Sequence, residues 1–330
     1  MSEDAFESPV LVGQSPRVCE IRRMVEKLGR TRSPVLLLGE TGTGKEVVAR
    51  AIHHVSPTGP FVPIDCSALV GTLLESELFG HAKGAFTGAV ASKPGLLETA
   101  HGGTAFFDEI GELPRRLQGK LLRVIQDKEI RAVGGVTRRR TDFRVITATN
   151  RDLAREVECG RFRRDLYYRL NVVTLRLPPL RARKEDIPLL MEHFLARHGS
   201  RHRLSREVLE ALLAYDWPGN VRELENCVER MLAVNSGPVL HLTDLPTALQ
   251  SSLPADQVEQ FARQAAPARE ATSRPEPSGI VPLEEAERHA ILKALAFTQG
   301  DRAQAAQLLG IGRTTLYRKL KQYRVAPLAR

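Results

Sequence analysis

A glycine-rich segment near residue 40 has the composition of a phosphate-binding loop. Residues 39–45 match the pattern G-x-x-x-x-G-K, between the apolar run 34–38 and a helical pattern. Glycines let backbone amides wrap around phosphate oxygens, and the lysine ammonium reaches the outer phosphates. The strand–loop–helix context favours this interpretation over a chance match. The predicted phosphate contacts are Gly39, Glu40, Thr41, Gly42, Thr43, Gly44, Lys45 and Glu46.

Two carboxylates after a second apolar run could supply the metal ligand and the base for phosphate hydrolysis. Glu46 stands where the general motif has the Ser or Thr that holds magnesium, so Mg2+ needs its main protein ligand elsewhere. Asp108 follows the run 104–107 and would hold Mg2+ through water, while Glu109 would polarise the attacking water. The alternative is a strand followed by a solvated acidic turn. The sequence lacks an Asn-Lys-x-Asp guanine motif, which favours ATP over GTP.

Further polar residues could sense or stabilise the terminal phosphate. The run 145–148 ends in Thr149 and Asn150, although such an ending is more often an ordinary turn. Arg163 and Arg169 could be presented to the ATP of a neighbouring subunit, because an arginine stabilises the charge of a transferring phosphate. Without that context, both would be surface arginines.

Residues 84–89 read Gly-Ala-Phe-Thr-Gly-Ala within a stretch of small residues. Glycines on both sides give the backbone freedom, so the segment is interpreted as a mobile loop with an exposed apolar tip that contacts a partner. The alternative is a tight turn with Phe86 in the core. The predicted contact residues are Gly84, Ala85, Phe86, Thr87, Gly88 and Ala89.

The hydrophobic pattern supplies elements that could position these residues. After a short extension, 1–10, apolar runs alternate with helical segments over 11–176, which predicts an α/β fold: a parallel sheet with helices on both faces. Strands stop from residue 177, and 177–246 has helical periodicity with breaks at Gly199 and 217–220. A proline-containing stretch, 247–282, is predicted to be a flexible linker, and a small all-α unit occupies 283–330.

The net charge is concentrated at the carboxyl end of the chain. The 330 residues contain 48 basic and 39 acidic side chains, a balance of 48 − 39 = +9. From Arg302 onward there are seven basic residues and no acidic one, so the remainder is close to neutral. This asymmetry indicates a polyanion-binding end on an otherwise balanced protein.

Composition excludes several other classes of protein. With 42% hydrophobic and 26% charged residues, the chain is not disordered throughout. Its four cysteines have neither disulfide-framework nor zinc spacing and are interpreted as reduced thiols. No apolar run approaches the roughly 18 residues of a membrane span, and the opening residues lack signal-peptide character. We therefore expect a cytoplasmic protein with no membrane partner.

The basic end has helix-turn-helix spacing. A helix over 302–309, a turn over 310–312 and a second helix over 313–323 are predicted. Leu316, Leu320 and Tyr323 should pack on the first helix, and the opposite face would contact duplex DNA. The alternative is a helical oligomerisation hairpin. The predicted DNA contacts are Arg313, Thr314, Thr315, Arg318 and Lys321.

Five segments together resemble one family. Residues 39–46, 77–81, 84–89, 102–110 and 217–224 closely resemble the AAA+ domain of bacterial enhancer-binding proteins, which activate RNA polymerase carrying sigma-54. The basic end is similar to the Fis-type DNA-binding domain of the same activators. The resemblance implies roles for the following residues: Lys45 for phosphate, Asp108 and Glu109 as the Walker B pair, Thr149 and Asn150 at sensor I, Arg163 and Arg169 at the arginine-finger positions, Arg222 at sensor II, and residues 84–89 on sigma-54.

The resemblance also implies how the protein works. Members bind upstream DNA as dimers, assemble into hexameric rings and hydrolyse ATP to convert sigma-54 polymerase from the closed to the open promoter complex. The implied partners are duplex DNA, sigma-54 with its polymerase, and further copies of the chain, on the nucleoid. Two alternatives stay open: a DNA-binding AAA+ regulator that does not activate sigma-54, and an AAA+ DNA remodeller.

Two departures from the family pattern affect the expected regulation. Asp65 stands where the family commonly has an asparagine thought to restrain the catalytic glutamate, which puts the coupling of Glu109 to residues 84–89 in doubt. Many relatives begin with a sensor domain, whereas about ten residues precede the similarity here. Control would then come from a separate regulatory protein or from expression, unless the chain is a fragment.

Overall fold

The computed structural model describes residues 11–67, 72–86, 88–235, 237–250 and 302–322, together with residues 290, 291, 293, 294 and 298. The chain forms two compact units, Met1–Gln264 and Ala265–Arg330, each described by itself. Within the described ranges, no helix is long and apolar enough to cross a membrane.

A five-stranded parallel sheet forms the centre of the first unit. Its strand order is β2-β3-β6-β1-β7, and every neighbouring pair is parallel. The predicted parallel sheet is therefore confirmed, with each strand on one of the apolar runs. The strands are β1 (Val35–Leu38), β2 (Phe61–Asp65), β3 (Thr104–Asp108), β6 (Arg144–Thr149) and β7 (Val173–Arg176).

Helices cover both faces of this sheet. Successive strand residues face opposite sides. Phe106 and Ile146 pack in one hydrophobic cluster with the first two helices, and Phe107 and Val145 pack in the other with the third and fifth. Both faces of the central strands are thus buried, which explains their continuous apolar runs. The helices are α1 (Pro16–Gly29), α2 (Lys45–Val55), α3 (Thr72–Phe79), α4 (Leu96–Thr99), α5 (Arg115–Asp127), α6 (Leu153–Glu158) and α7 (Arg164–Leu170).

An antiparallel hairpin that the sequence did not predict extends from the sheet domain. Its strands are β4 (Glu129–Arg131) and β5 (Arg138–Arg140). The hairpin lies against the segment before residues 84–89, because the Ala82 amide donates to the Val133 carbonyl at 2.9 Å and the Val133 amide donates to the Gly80 carbonyl at 2.9 Å.

The helical subdomain predicted over 177–246, called the lid below, packs around Trp217. This indole is fully buried and donates its Nε1–H to the Leu212 carbonyl at 2.8 Å. The helical prediction for this region needs one correction, since two-residue strands β8 (Arg203–Leu204) and β9 (Val239–Leu240) pair in parallel. Strands this short leave no periodic signal. The helices are α8 (Ile187–Arg197), α9 (Arg206–Ala214), α10 (Asn220–Val234) and α11 (Thr247–Gln250).

The predicted linker begins too early. Residues 247–250 form α11, and Leu249 is buried in the hydrophobic core of the lid. A linker starting at 247 is therefore wrong for these four residues. The rest of the predicted linker lies outside the described residues.

The second unit contains the predicted helix-turn-helix elements. The helices Arg302–Leu308 and Arg313–Gln322 are joined through Gly310, whose φ of +66° is in the left-handed region. Leu316 is fully buried with Ala305 and Ala306, as its predicted packing face requires. The exposed face includes Thr314 and Arg318. Several predicted residues lie outside the described part: the side chains of Arg313, Leu320 and Lys321, residue Tyr323 and most of 283–297.

Candidate active site

The phosphate-binding loop occupies the expected turn between β1 and α2. Gly42 and Gly44 have φ values of +78° and +97°, which side chains with a Cβ rarely adopt. Gly44 immediately precedes α2, so the first amides of that helix are available to an anion. The Thr43 hydroxyl is committed within the loop, where it donates to the Glu40 carbonyl at 2.8 Å.

Lys45 connects the loop to the predicted base. Its side chain is 6% exposed, and its ammonium donates to the carbonyls of Gly39 at 3.1 Å and Glu40 at 3.3 Å. The same Nζ lies 3.4 Å from Glu109 Oε1. The lysine charge is therefore held between the loop and a carboxylate, where a phosphate group would compete for it.

The two carboxylates at the end of β3 differ in environment. Burial raises the pKa of Asp108, and the nearby Glu109 adds to the effect while Lys45 opposes it. Glu109 has a φ of +49°, an uncommon conformation for a residue with a side chain, and strain of this kind often occurs at functional sites. Its Oε2 accepts a hydrogen bond from the Asn150 amide at 3.2 Å.

The end of β6 completes this side of the site. Thr149 is buried and its hydroxyl accepts from the Arg151 amide at 3.1 Å, while the Asn150 side-chain amide donates to Thr41 Oγ1 at 3.2 Å. The structure thus brings together residues predicted from separate segments of the chain: Lys45, Asp108, Glu109 and Asn150.

The lid closes over the same loop through backbone contacts. The amides of Val221 and Arg222 donate to the Gly42 carbonyl at 2.9 and 3.3 Å. Arg222, the predicted sensor II residue, is exposed and lines a cavity beside the loop. A Cβ on Gly42 would lie 2.2 Å from the Gly219 carbonyl oxygen, so the approach of the lid itself requires glycine there.

Asn220 is a lid residue that sequence reasoning missed. It is fully buried with a φ of +54°, and its Oδ1 accepts from the Leu180 amide at 2.8 Å. Its Nδ2 donates to the Thr41 carbonyl at 3.0 Å. The sequence signal was the Trp-Pro-Gly-Asn segment, which was interpreted as a helix break and as part of a family motif in which only Arg222 was given a role.

An ion pair also joins the lid side to the loop. Arg181 Nη1 donates to Glu40 Oε2 at 2.8 Å. This contact, with a smaller contribution from Asn220, lowers the pKa of Glu40 to about 2. Glu40 therefore stays ionised at neutral pH.

A cavity of about 310 Å³ lies between the loop and the lid, at the lower end of the range for small-molecule sites. The loop, both carboxylates and Arg222 are among its polar lining, and the amino-terminal segment and α8 contribute apolar side chains. This lining offers polar groups for a polyphosphate and apolar groups for a flat ring. The apolar lining residues of those two segments are Leu11, Val12, Leu190 and Phe194.

Glu46 has a local partner. Its Oε1 accepts from Arg50 Nη2 at 2.7 Å, and the Arg50 guanidinium lies 4.7 Å from the centre of the Phe61 ring. Glu46 also lines the cavity.

The two predicted arginine fingers lie outside this cavity in their own subunit. Arg163 pairs with Asp165 at 2.7 Å, and Arg169 is exposed on α7. Neither residue is among those that line the cavity in the described structure. This position is compatible with action on a neighbouring subunit.

Residues 84–89 form a turn with an exposed aromatic side chain. The Gly84 amide donates to the Ala89 carbonyl at 2.9 Å, which closes the turn. Phe86 is 37% exposed and contacts His81 edge-on at 5.1 Å between ring centroids. The alternative that placed Phe86 in the core is therefore wrong. Thr87 lies outside the described residues.

Asp65 lies beside the carboxylate pair at the end of β2, in register with Asp108. Its Oδ1 accepts from the Ser67 amide at 2.8 Å and from the Ser67 hydroxyl at 2.6 Å. Asp65 adds to the raised pKa of Asp108. Its charge therefore acts on the site from the neighbouring strand.

A phosphate loop on a parallel sheet, a strand ending in Asp-Glu and a helical lid closed on the loop define an ATPase of the AAA+ class. Family models match residues 11–176 as the sigma-54 interaction domain, 181–261 as the AAA+ ATPase lid domain and 282–323 as the bacterial regulatory protein, Fis family. The chain belongs to the family of sigma-54-dependent transcriptional activators.

Similar proteins agree with this assignment. Regulatory protein AtoC of Escherichia coli (strain K12) is 43% identical over 325 residues, which cover 96% of this chain and 68% of AtoC. DNA-binding transcriptional regulator NtrC of Rhizobium meliloti (strain 1021) is 42% identical, covering 99% and 72%. The crystal structure of NtrX from Brucella abortus in complex with ATP aligns with a TM-score of 0.69 and 32% identity, covering 96% and 70%.

These findings establish the protein's general activity. It is an ATP-binding AAA+ ATPase and a transcriptional activator that acts with sigma-54 polymerase. Its Fis-type helix-turn-helix binds DNA, so DNA and sigma-54 are its partners.

Proposed function

We propose that residues 283–330 hold the protein on upstream DNA while residues 11–246 form a ring that hydrolyses ATP and opens the sigma-54 promoter complex. The observation that carries the motor assignment is that Lys45, Asp108 and Glu109 line one cavity with the phosphate loop, while the Asn150 amide donates to Glu109. The ring is a hexamer built from dimers, with ATP between subunits. The protein works in the cytoplasm on nucleoid DNA.

Lys45 and Glu109 would change partners during the reaction. Their 3.4 Å contact is an ion pair that a phosphate oxygen can replace, because a polyphosphate carries more negative charge than one carboxylate. Lys45 would then stabilise the outer phosphates, and Glu109 would be free to accept a proton from the attacking water.

Asp108 has the chemistry for Mg2+. Its carboxylate lies at the end of β3 beside the phosphate loop, and Mg2+ prefers oxygen ligands while keeping much of its water. A bound cation would favour ionised Asp108, opposing the effect of burial on its pKa. Mg2+ supplies charge neutralisation at the phosphates.

Arg163 and Arg169 would complete the site of the neighbouring subunit. Arg163 is half-buried and immediately precedes α7, Arg169 is exposed on α7, and neither lines its own cavity in the described structure. Each can stabilise transition-state charge only after the ring assembles, which makes hydrolysis depend on oligomerisation.

Residues 84–89 would contact sigma-54. Phe86 offers an exposed aromatic surface, and backbone hydrogen bonds between Gly84, Phe86 and Ala89 close the turn. A small apolar tip of this kind suits contact with another protein.

Promoter opening in vitro tests the proposal. Sigma-54 polymerase, promoter DNA and the full chain are mixed with or without ATP, and strand opening is measured by permanganate reactivity. We expect opening only with ATP, none with Lys45→Ala, and ATP hydrolysis without opening for Thr87→Ala.

Each outcome separates the alternatives. Full opening by Thr87→Ala would overturn the assignment of the loop. A chain that hydrolyses ATP and binds DNA but never opens a promoter would instead be an AAA+ regulator without the activation role. A chain that unwinds or remodels DNA without sigma-54 would be a DNA remodeller.

A further inference from the structure

Two arginines in the described structure have a buried Nε with no hydrogen-bond partner: Arg144 and Arg183. Their side chains are 6% and 4% exposed, and neither forms an ion pair with a carboxylate in the described ranges. Burying a charge without a counter-charge is costly, so each arginine needs an explanation.

Arg144 has a structural explanation. It lies at the start of β6, and its Nη2 and Nη1 donate to the carbonyls of Leu28 at 2.8 Å and Gly29 at 3.4 Å. These carbonyls are at the end of α1, where a positive charge is favoured by the helix dipole and satisfies acceptors that the helix leaves unpaired. Arg144 therefore caps α1.

Arg183 has no such helix end to cap. It lies between two short 3-10 turns, Leu180–Ala182 and Lys184–Asp186, and its Nη2 donates to the Thr43 carbonyl of the phosphate loop at 3.0 Å. Its side chain also lines the cavity that contains Lys45. Burial is the main cause that lowers the pKa of Arg183.

The nearest acidic influence on Arg183 is Asp186, whose charge opposes the effect of burial on the pKa of Arg183. Asp186 is fully buried, and its oxygens accept from the Gln14 amide at 2.6 Å, the Ser15 amide at 2.8 Å and the Ser15 hydroxyl at 2.6 Å. Its carboxylate thus holds the amino-terminal segment and makes no salt-bridge contact with Arg183. In the described structure the Nε of Arg183 is left without a hydrogen-bond acceptor.

We propose that Arg183 is a positioning residue of the nucleotide site whose counter-charge is the polyphosphate of ATP or ADP. It acts in two ways. Its charge adds to that of Lys45 in the polar lining of the cavity. Its bond to Thr43 fixes one peptide group, and because a trans peptide points its C=O and N–H in opposite directions, the Gly44 amide is held pointing away from Arg183.

The inference rests on the proposed nucleotide site. It predicts that replacing the two buried arginines has different effects on Tm and on ADP affinity. In the nucleotide-free chain, Arg183→Met removes a buried charge that no carboxylate contacts directly, so its Tm should equal or exceed that of the wild type. Arg144→Met removes a helix cap, so its Tm should fall. ADP affinity should weaken about tenfold or more for Arg183→Met, the size of one lost charge-assisted interaction, and stay unchanged for Arg144→Met.

The experiment measures the Tm of the nucleotide-free full chain by calorimetry and its Kd for ADP by titration calorimetry. Arg183→Lys keeps the charge and should recover part of the lost affinity. An unchanged Kd for Arg183→Met, or a fall in Tm matching that of Arg144→Met, would overturn the proposal. Lys45→Ala tests the site itself: if that variant binds ADP normally, the nucleotide site is wrong, whatever Arg183 does.

Discussion

Replacing Asn220 tests how strongly the lid is held on the phosphate loop. The buried side chain makes two short hydrogen bonds to backbone groups, at 2.8 Å to Leu180 and 3.0 Å to Thr41. Each contributes about 1 kcal/mol, and placing alanine at a φ of +54° costs roughly 1 kcal/mol more. Asn220→Ala should therefore lower the free energy of unfolding by about 3 kcal/mol, and Asn220→Gly by about 2 kcal/mol, because glycine tolerates this backbone conformation.

Urea unfolding followed by tryptophan fluorescence measures these changes. Trp217 is the one tryptophan of the chain and is buried in the lid, so its emission reports this part of the molecule. Asn235 is a matched control, since its side chain also bonds backbone groups, including the Val239 carbonyl at 2.9 Å, but its φ is −75°. Asn235→Gly should therefore lower the free energy of unfolding at least as much as Asn235→Ala. If Asn220→Ala were no worse than Asn220→Gly, or if both lay within about 1 kcal/mol of the wild type, the reasoning would be refuted.

Three further predictions concern catalysis, pH and DNA. Glu109→Gln should bind ATP and lose hydrolysis, because an amide cannot accept the proton from water; normal phosphate release would contradict this. Arg181 depresses the pKa of Glu40 from 4.5 to about 2, so the stability from this pair is present at neutral pH and is lost as pH falls from about 4.5 towards 2. The Tm difference between wild type and Arg181→Met should narrow over that pH range. A constant difference would contradict a stabilising role of the ion pair between Arg181 and Glu40. Removing residues 283–330 should abolish specific DNA binding in a mobility-shift assay, while ATP hydrolysis by the remaining chain persists to the extent that the ring assembles without DNA.

The sheet and the catalytic carboxylates were predictable because their signals are local. Strands buried on both faces need continuous apolar runs, and the carboxyl ends of parallel strands lie at one edge of the sheet. Polar residues directly after such runs, Asp108 and Asn150 among them, are therefore expected to meet. In the structure Glu109, which follows Asp108, contacts Lys45 and accepts a hydrogen bond from the Asn150 amide.

The hairpin and the lid contacts were not predictable in the same way. Strand β5 consists of three arginines, all exposed, and forms by pairing with β4 rather than by burying an apolar face. Asn220 and Arg183 bond to loop residues 179 and 140 positions away in the chain. Nothing in the local pattern around Asn220 or Arg183 indicates a partner that distant.

The hairpin has a mechanical consequence. After Glu109, the chain passes through the short turn Ile110–Glu112 towards α5, and α5 ends at Asp127, with Lys128 between it and β4. Its 13 residues form a rod about 20 Å long at 1.5 Å per residue. A tilt of about 5° at the end near Glu109 would displace the far end by nearly 2 Å. The hairpin is hydrogen-bonded to the segment that precedes Phe86. A small movement of Glu109 in response to the γ-phosphate would therefore produce a larger displacement of the turn that carries Phe86.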